Sequence, residues 1–173
     1  MKFKLKIEKY LSGNKTNIYS IRFINSDDTS HILNETEKFF DKIKNSNPEE
    51  YQTFIALLKN IVNISGAKEK FFRDESNADC NFLKALIRLD VIGKKYKGNI
   101  RLYCLYYGQN KVILGNGDFK STRTFNEDDN LNKIARILQK LDKALDEKEK
   151  DKEVYWEENE LINIENHIFE IET

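Results

Sequence analysis

The feature that most constrains the fold is EDDNLNKIARILQKLDKALDEKEK, residues 127–150, in which apolar side chains recur every three or four positions. The recurring residues are Leu131, Ile134, Ala135, Leu138, Leu141 and Leu145. This period places them on one stripe of an α-helix, with charged residues around the remaining surface. The sequence therefore predicts a long amphipathic helix in the C-terminal part of the chain.

Four other segments have the pattern of β-strands. Residues 2–10, KFKLKIEKY, alternate apolar and mostly lysine side chains, and IYSIRFI at 18–24 follows the turn residues SGNKTN. NIRLYCLYY at 99–107 is rich in β-branched and aromatic residues, and it turns through GQN into KVILG at 111–115. We expect each pair to form an antiparallel hairpin.

Two shorter helices are predicted between these hairpins. NETEKFFDKIKN begins at Asn34 and has Glu37 three residues later, which is the capping-box pattern. Pro48, with two acidic residues behind it, predicts a second helix over 48–65. The apolar run at 82–92 fits a strand or a short helix, and we favour the strand.

With 173 residues the chain is long enough for one domain with its own core. We expect an α+β domain over 1–150 and an acidic tail over 151–173. The tail has two short apolar patches, which predict a hairpin packed on the domain or, alternatively, a segment that orders on a partner.

The charges are unevenly distributed although the net charge is zero. Residues 66–124 contain 12 basic and 6 acidic side chains, whereas 125–173 contain 7 basic and 15 acidic ones. A positive face that binds a polyanion is one interpretation, and simple solvation of different faces is the other.

Several classes of protein are disfavoured by what the sequence lacks. No apolar run approaches the roughly 18 residues of a membrane span, so we expect a cytoplasmic protein. Cys80 and Cys104 lack metal-site spacing and are expected to be plain thiols. His31 and His167 are not spaced for a metal site or a catalytic triad, and we expect no metal and no cofactor.

The segment GNGDFKST follows a strand and contains a lysine, but it is not a phosphate-binding loop. Its two glycines stand one residue apart and Phe119 precedes Lys120, so the P-loop and dinucleotide patterns both fail. We expect Gly115 and Gly117 to let the backbone leave the sheet.

Basic side chains are predicted to lie together at one end of the sheet. They come from a strand, from the loop that follows the next strand, and from the segment near residue 70. Such groups bind phosphodiester oxygens and stabilise charge that grows on a scissile phosphate. Each one alone is also explained by an ion pair or by solvation. They are Arg101, Lys120, Arg123, Lys68, Lys70 and Arg73.

The order strand, helix, helix, three strands and C-terminal helix resembles the RelE/ParE superfamily, the small α+β toxins of bacterial type II toxin–antitoxin modules. Residues 99–137 are similar to the HigB-like, phage-derived branch of this superfamily. They contain a strand with an arginine, then a strand exit with a lysine, and then a helix. The chain is longer and less basic than such toxins, and Ser121 stands where a second lysine is common. The resemblance implies a RelE-like antiparallel sheet with two helices in the N-terminal half and a long C-terminal helix.

The resemblance also implies a function. Such toxins are metal-independent endoribonucleases that cleave mRNA on the ribosome by attack of a ribose 2′-OH on the adjacent phosphate, and a cognate antitoxin neutralises them. It implies that Arg101 clamps the phosphate, while Lys120 and Arg123 stabilise the transition state or act as the acid. The expected RNA contacts are Lys68, Lys70, Arg73 and Tyr107, with Tyr106 as a further stacking candidate. The alternatives are a non-catalytic RelE-fold binding or regulatory module, and an assembly protein that docks through its tail.

Overall fold

The computed structural model describes residues 1–24, 33–75, 80–86, 100–119 and 129–173. Within these ranges the strands are β1 (Lys2–Ser12), β2 (Asn17–Phe23), β3 (Phe72–Asp74), β4 (Leu83–Leu86), β5 (Ile100–Tyr106), β6 (Val112–Phe119), β7 (Tyr155–Glu157), β8 (Glu160–Ile162) and β9 (Phe169–Glu172). The α-helices of the same ranges are α1 (Glu35–Ser46), α2 (Pro48–Asn60) and α3 (Asp129–Lys150). The predicted α+β class is confirmed.

Most of the described strands form one sheet of seven, in the order β3-β4-β5-β6-β2-β1-β9. Its centre is a parallel pair, β2 and β6, in which Ile18 lies opposite Val112 and Ser20 lies opposite Leu114. The other neighbours are antiparallel. The sheet therefore departs from the predicted antiparallel sheet at its central pair. β2 and β6 are joined by a long connection that contains both helices and the three antiparallel strands β3, β4 and β5, and not by a hairpin.

The two faces of the sheet bury separate cores. Successive residues of β5 alternate between them, with Leu102 and Cys104 in one core and Tyr103 and Leu105 in the other. The first core contains the aromatic side chains of α1 and α2, and the second contains α3. The predicted stripe of α3 is confirmed, since Leu131, Ala135, Leu138, Leu141 and Leu145 are fully buried and Ile134 is partly buried.

The starts of the first two helices follow the sequence pattern. The Asn34 side chain accepts a hydrogen bond from the Glu37 backbone N–H at 2.8 Å, and the Glu37 carboxylate accepts one from the Asn34 N–H at 2.8 Å, so the capping box is present. Pro48 opens α2, which ends in a π-helical turn, Ile61–Ser65. The helix predicted over 48–65 is thus an α-helix followed by a π turn.

The end of β6 differs from its prediction. The strand does not stop at residue 115 but continues to Phe119, past a shift of register opposite Leu102 and Cys104. Gly115 and Gly117 therefore lie inside the strand rather than at its exit. The strand favoured within 82–92 is confirmed as β4, and the rest of that run lies outside the described residues.

The C-terminal residues pack on the domain. The predicted hairpin is present as β7 and β8, with Trp156 opposite Leu161. The last strand, β9, adds itself to the edge of the main sheet, where Phe169 pairs with Leu5. The packed interpretation of the tail is confirmed. Among the described helices, none combines the length and the apolarity that crossing a membrane would need.

Candidate nucleic-acid interface

A pocket of about 520 Å³ lies near the carboxyl ends of the parallel strands β2 and β6. We call it the basic pocket. Five of the described lysines line it, together with the rings of Phe3 and Phe23. The lysines are Lys2, Lys4, Lys38, Lys42 and Lys133.

Three elements bring these lysines together. Lys2 and Lys4 are alternate residues of β1 and therefore project from the same side of that strand. Lys38 and Lys42 are four residues apart in α1 and share one side of the helix. Lys133 comes from the first turns of α3. The pocket is thus a product of tertiary structure and not of a local motif.

Part of this positive charge is neutralised within the site. The ion pairs are Lys38 with Glu35 at 2.6 Å, Lys4 with Glu170 at 3.5 Å, and Lys42 with Asp118. Lys2 and Lys133 form no ion pair with any residue that the structure describes. The pocket therefore retains positive charge that an anionic ligand can neutralise.

Asp118 links the two helices that border the basic pocket. Its carboxylate accepts hydrogen bonds from the Lys42 ammonium, from the Asn130 amide and, at 2.8 Å, from the Phe119 backbone N–H. Burial alone would raise the pKa of Asp118, but these hydrogen bonds outweigh it and hold the pKa below its ordinary value. Asp118 is therefore ionised at neutral pH and fixes Lys42 beside the pocket.

The pocket also presents aromatic surface. The rings of Phe3 and Phe23 are half-buried and lie 5.4 Å apart between centroids. The Lys133 ammonium is 5.6 Å from the centre of the Phe3 ring, and that of Lys38 is 5.7 Å from the centre of the Phe23 ring. Ammonium groups beside aromatic rings suit a nucleotide, whose phosphate takes the charge and whose base stacks on the ring.

The other polar side chains that line the pocket are the amides of Asn116 and Asn130 and the carboxylate of Glu35. The Asn116 amide donates to Glu35 at 2.8 Å, and Asn130 donates to Asp118. In the part of the chain that the structure describes, no group of three or more His, Cys, Asp or Glu side chains could hold a metal ion. The basic pocket is chemically a site for anions and planar rings.

The predicted strand arginine, Arg101, does not line the basic pocket. It lies opposite Asp118 in the β5–β6 pair, but its side chain is only 8% exposed, and its Nη1 donates to the Ile100 carbonyl at 3.1 Å. Burial, and next the nearby Arg73 guanidinium, lower the pKa of Arg101, whereas Glu75 opposes them. The structure thus brings Arg101 and Arg73 near one another, beside a carboxylate.

The other predicted RNA contacts of the 68–73 segment lie at the β3 edge of the sheet. Arg73 pairs with Glu75 at 3.6 Å, and the Lys70 ammonium lies 5.3 Å from the centre of the Phe71 ring. Lys68 precedes the short 3-10 turn that leads into β3. None of these three cations lines the basic pocket.

The predicted tyrosines have structural contacts. Tyr107 donates its hydroxyl to Asp142 at 2.7 Å, and burial, and next Asp142, raise the pKa of Tyr107 well above its ordinary value. Tyr106 donates to the Ala67 carbonyl at 2.8 Å and stacks on Phe72. The tyrosines are fixed by these contacts away from the basic pocket.

The remaining candidates are only partly described. Lys120, Arg123 and His31 lie outside the described residues, so their predicted roles stay predictions. His167 lies 3.8 Å from Glu153 in the C-terminal region.

The sequence pattern did not single out the lysines of the basic pocket. Lys2 and Lys4 were visible as the polar side of a strand, and the four-residue spacing of Lys38 and Lys42 was visible in α1. Nothing local connects them, because they meet only through the sheet order and the position of α3.

Comparison of the chain with protein-family models, with curated proteins and with solved structures finds no match. The functional assignment therefore depends on the chemistry of the site.

Proposed function

We propose that the chain binds RNA through the basic pocket and acts as the toxin of a bacterial type II toxin–antitoxin pair, cleaving mRNA on the ribosome without a metal. The observation that carries the proposal is the convergence of five described lysines with two phenylalanine rings on one pocket of about 520 Å³. Single-stranded RNA offers the matching groups, a chain of phosphates and unstacked bases.

The order of elements supports the RelE-like part of the proposal. From β2 the chain continues through α1, α2, the three-residue strand β3, and then β4, β5, β6 and α3. Without the short strand β3, the order agrees with the one that the resemblance implies. The resemblance depends on the order strand, helix, helix, three strands and helix. On this proposal β1, β3 and the C-terminal strands are additions to a RelE-like unit.

The proposed reaction needs no cofactor. The ribose 2′-oxygen loses its proton and bonds to phosphorus, while the 5′-oxygen of the next nucleotide leaves and takes up a proton. We assign the phosphate contact to Arg101, and the stabilisation of charge or the donation of the proton to Lys120 and Arg123. The lysines of the basic pocket would hold the flanking phosphates.

One observation favours a second candidate, a RelE-fold module that binds RNA without cleaving it. Arg101 is 8% exposed and donates to a backbone carbonyl, with Arg73 and Glu75 nearby. A phosphate clamp has to reach a ligand in solvent, and a guanidinium buried among protein groups is poorly placed to do so. Binding without catalysis would leave the basic pocket as the functional site.

Binding is tested by removing three exposed lysines from the pocket, Lys2→Gln, Lys4→Gln and Lys133→Gln together. The matched control is Lys15→Gln, Lys59→Gln and Lys152→Gln, three exposed lysines outside the pocket. With a labelled single-stranded RNA and fluorescence anisotropy, we expect the first variant to bind about tenfold more weakly, since each lysine that contacts a phosphate adds to affinity. Equal losses in both variants would contradict a localised site.

Cleavage is tested by expressing the chain in bacteria and assaying translated mRNA for cuts. If the toxin proposal is right, expression arrests growth, and joint Arg101→Ala, Lys120→Ala and Arg123→Ala substitution relieves the arrest. Arg101→Lys, with a thermal melt of each purified variant, separates a lost contact from a lost fold. Harmless expression without cleavage, combined with retained RNA binding, would favour the non-catalytic module.

A further inference from the structure

A second pocket, of about 410 Å³, lies beside the C-terminal half of α3 and the β5–β6 turn. Aromatic rings and carboxylates line it, together with Lys111 and Lys143. We call it the acidic aromatic pocket. Its described aromatic and acidic residues are Phe82, Tyr107, Trp156, Asp142, Asp146 and Glu149.

The three rings form one continuous aromatic wall. The Tyr107 ring lies 4.8 Å from that of Phe82 and 6.1 Å from that of Trp156, measured between centroids. Phe82 is 41% exposed, so part of its ring is open to solvent beside the pocket. The wall thus offers aromatic surface to a ligand as well as to the core.

The carboxylates stand on one side of α3. Asp142, Asp146 and Glu149 are four and three residues apart, the spacing of neighbours along a helix surface. Asp142 is engaged by the Tyr107 hydroxyl, and Asp146 lies 2.7 Å from the exposed ammonium of Lys150. Glu149 has no ion-pair partner among the described residues.

The environment of Glu149 reflects this crowding of negative charge. Burial raises the pKa of Glu149, and the neighbouring Asp146 and Asp142 raise it further, against the opposing effect of Lys111. A cation placed between these carboxylates would relieve their repulsion. Three carboxylates against two lysines in the lining favour a positive ligand over a negative one.

We propose that the acidic aromatic pocket binds an organic cation, an ammonium or guanidinium group, through the π faces of its rings and the carboxylates of α3. Aromatic rings attract such cations through their quadrupole, and carboxylates add charge and hydrogen bonds. The volume lies within the range of roughly 300–1,000 Å³ that is usual for small-molecule sites. The cation comes from a Lys or Arg side chain of another protein or from a free polyamine.

This site is independent of the RNA proposal. The two pockets share no lining residue. Lys133 lines the basic pocket and Asp146 lines the acidic aromatic pocket, and both belong to α3. They are 13 residues apart, which corresponds to about 20 Å along the helix. Failure of one proposal therefore leaves the other intact.

Trp156 is the only tryptophan of the chain, so its fluorescence reports directly on the pocket. The full chain is titrated with tetramethylammonium, with N-acetyl-arginine amide as a protein side chain, and with spermidine as a polyamine, at constant ionic strength. We expect a saturable change of Trp156 fluorescence with each cation. We expect no such change with tert-butanol, a neutral molecule that is similar in shape to tetramethylammonium. Tighter binding of the arginine amide identifies a protein source, and tighter binding of spermidine identifies a polyamine.

Variants localise the binding. Asp146→Asn with Glu149→Gln is expected to weaken cation binding about tenfold, because two carboxylates that face the cation are lost. The matched control, Glu147→Gln with Asp151→Asn, removes the same charge outside the pocket and is expected to bind as the natural chain does. Phe82→Ala, at an exposed ring, is expected to weaken tetramethylammonium binding severalfold. The absence of any saturable cation response, or unchanged binding by the Asp146/Glu149 variant, would overturn the proposal.

Discussion

Gly117 shows how tightly a single residue is constrained at the centre of this sheet. A Cβ atom at this position would lie 2.0 Å from the Arg101 carbonyl oxygen and 2.9 Å from the Leu102 Cα, both backbone atoms of β5. At Gly115, two residues earlier in the same strand, the nearest atoms are methyl groups of Leu138 at 3.1 and 3.2 Å. A side chain can move aside, whereas a paired strand cannot.

We therefore predict that Gly117→Ala lowers the free energy of unfolding by about 3 kcal/mol, the upper part of the range for overpacked sites. Gly115→Ala is expected to cost about 1 kcal/mol, because the end of Leu138 can shift and the Tyr103 carbonyl oxygen of β5, at 3.3 Å, is only slightly too close. Urea denaturation followed by circular dichroism measures both values. Equal costs at the two glycines would show that β5 and β6 are not paired as described.

For single residues, the sequence predicted those contacts that are made with near neighbours in the chain. The capping box of Asn34 and Glu37 needs four consecutive residues, so its pattern is visible in the chain. The environment of Arg101 depends on Arg73 and Glu75 from β3 and its following residue, and the pattern around Arg101 contains no trace of them. The role of Gly117 was misjudged for the same reason, since its constraint comes from the facing strand.

At the scale of helices and strands, the Asp118 carboxylate joins α1 and α3 to the end of β6 through its hydrogen bonds. The stability that these bonds contribute depends on pH. The pKa of Asp118 in the folded chain is below the usual value, so its ionised form stabilises the fold above the unfolded pKa of about 3.9. This contribution is lost as the pH falls through the folded pKa. We predict that Asp118→Asn costs about 1 kcal/mol at pH 7 and that the difference from the natural chain shrinks below about pH 4.

Thermal or urea unfolding at a series of pH values measures this difference. Asp41→Asn, an exposed acid in α1, serves as the control, and we expect it to show little effect at any pH. A cost for Asp118→Asn that stays the same from pH 7 to pH 3 would mean that the charge of Asp118 is not what joins the helices.

The strand β9 provides a second prediction about elements. Phe169 is 2% exposed beneath α3, whereas its neighbour Ile168 is 51% exposed. We predict that Phe169→Ala lowers the free energy of unfolding by about 3 kcal/mol, as for other large buried side chains, and that Ile168→Ala changes it by less than about 0.5 kcal/mol. Chemical denaturation compares them. Similar, small effects at both positions would mean that β9 adds nothing to the core.

The elements themselves were largely predictable, and their assembly was not. The hairpins and α3 follow from periodicity and turn residues that lie close together in the chain. The parallel pairing of β2 with β6 and the addition of β9 beside β1 join distant segments, and no alternation pattern specifies them.

For the whole molecule, the distribution of charge in space differs from its distribution along the chain. The basic segment is 66–124, yet the lysines of the basic pocket come from residues 1–65 and from α3. The carboxylates of the acidic aromatic pocket lie on the same helix as Lys133, in its other half. Folding thus places Lys133 and these carboxylates in separate pockets, which a count over segments cannot reveal.

Because the lysines lie in one localised pocket, we can predict how RNA binding depends on salt concentration. For a single strand, the logarithm of the binding constant falls with the logarithm of salt concentration by about 0.7 for each phosphate contact. If Lys2, Lys4 and Lys133 each contact one phosphate, their replacement by Gln makes the slope for RNA binding shallower by about 2. The control with Lys15, Lys59 and Lys152 replaced has the same net charge, and we expect it to keep the natural slope. Anisotropy titrations between low and high salt measure the slopes. An equal change of slope in both variants would mean that RNA responds to the net charge of the molecule and not to the basic pocket.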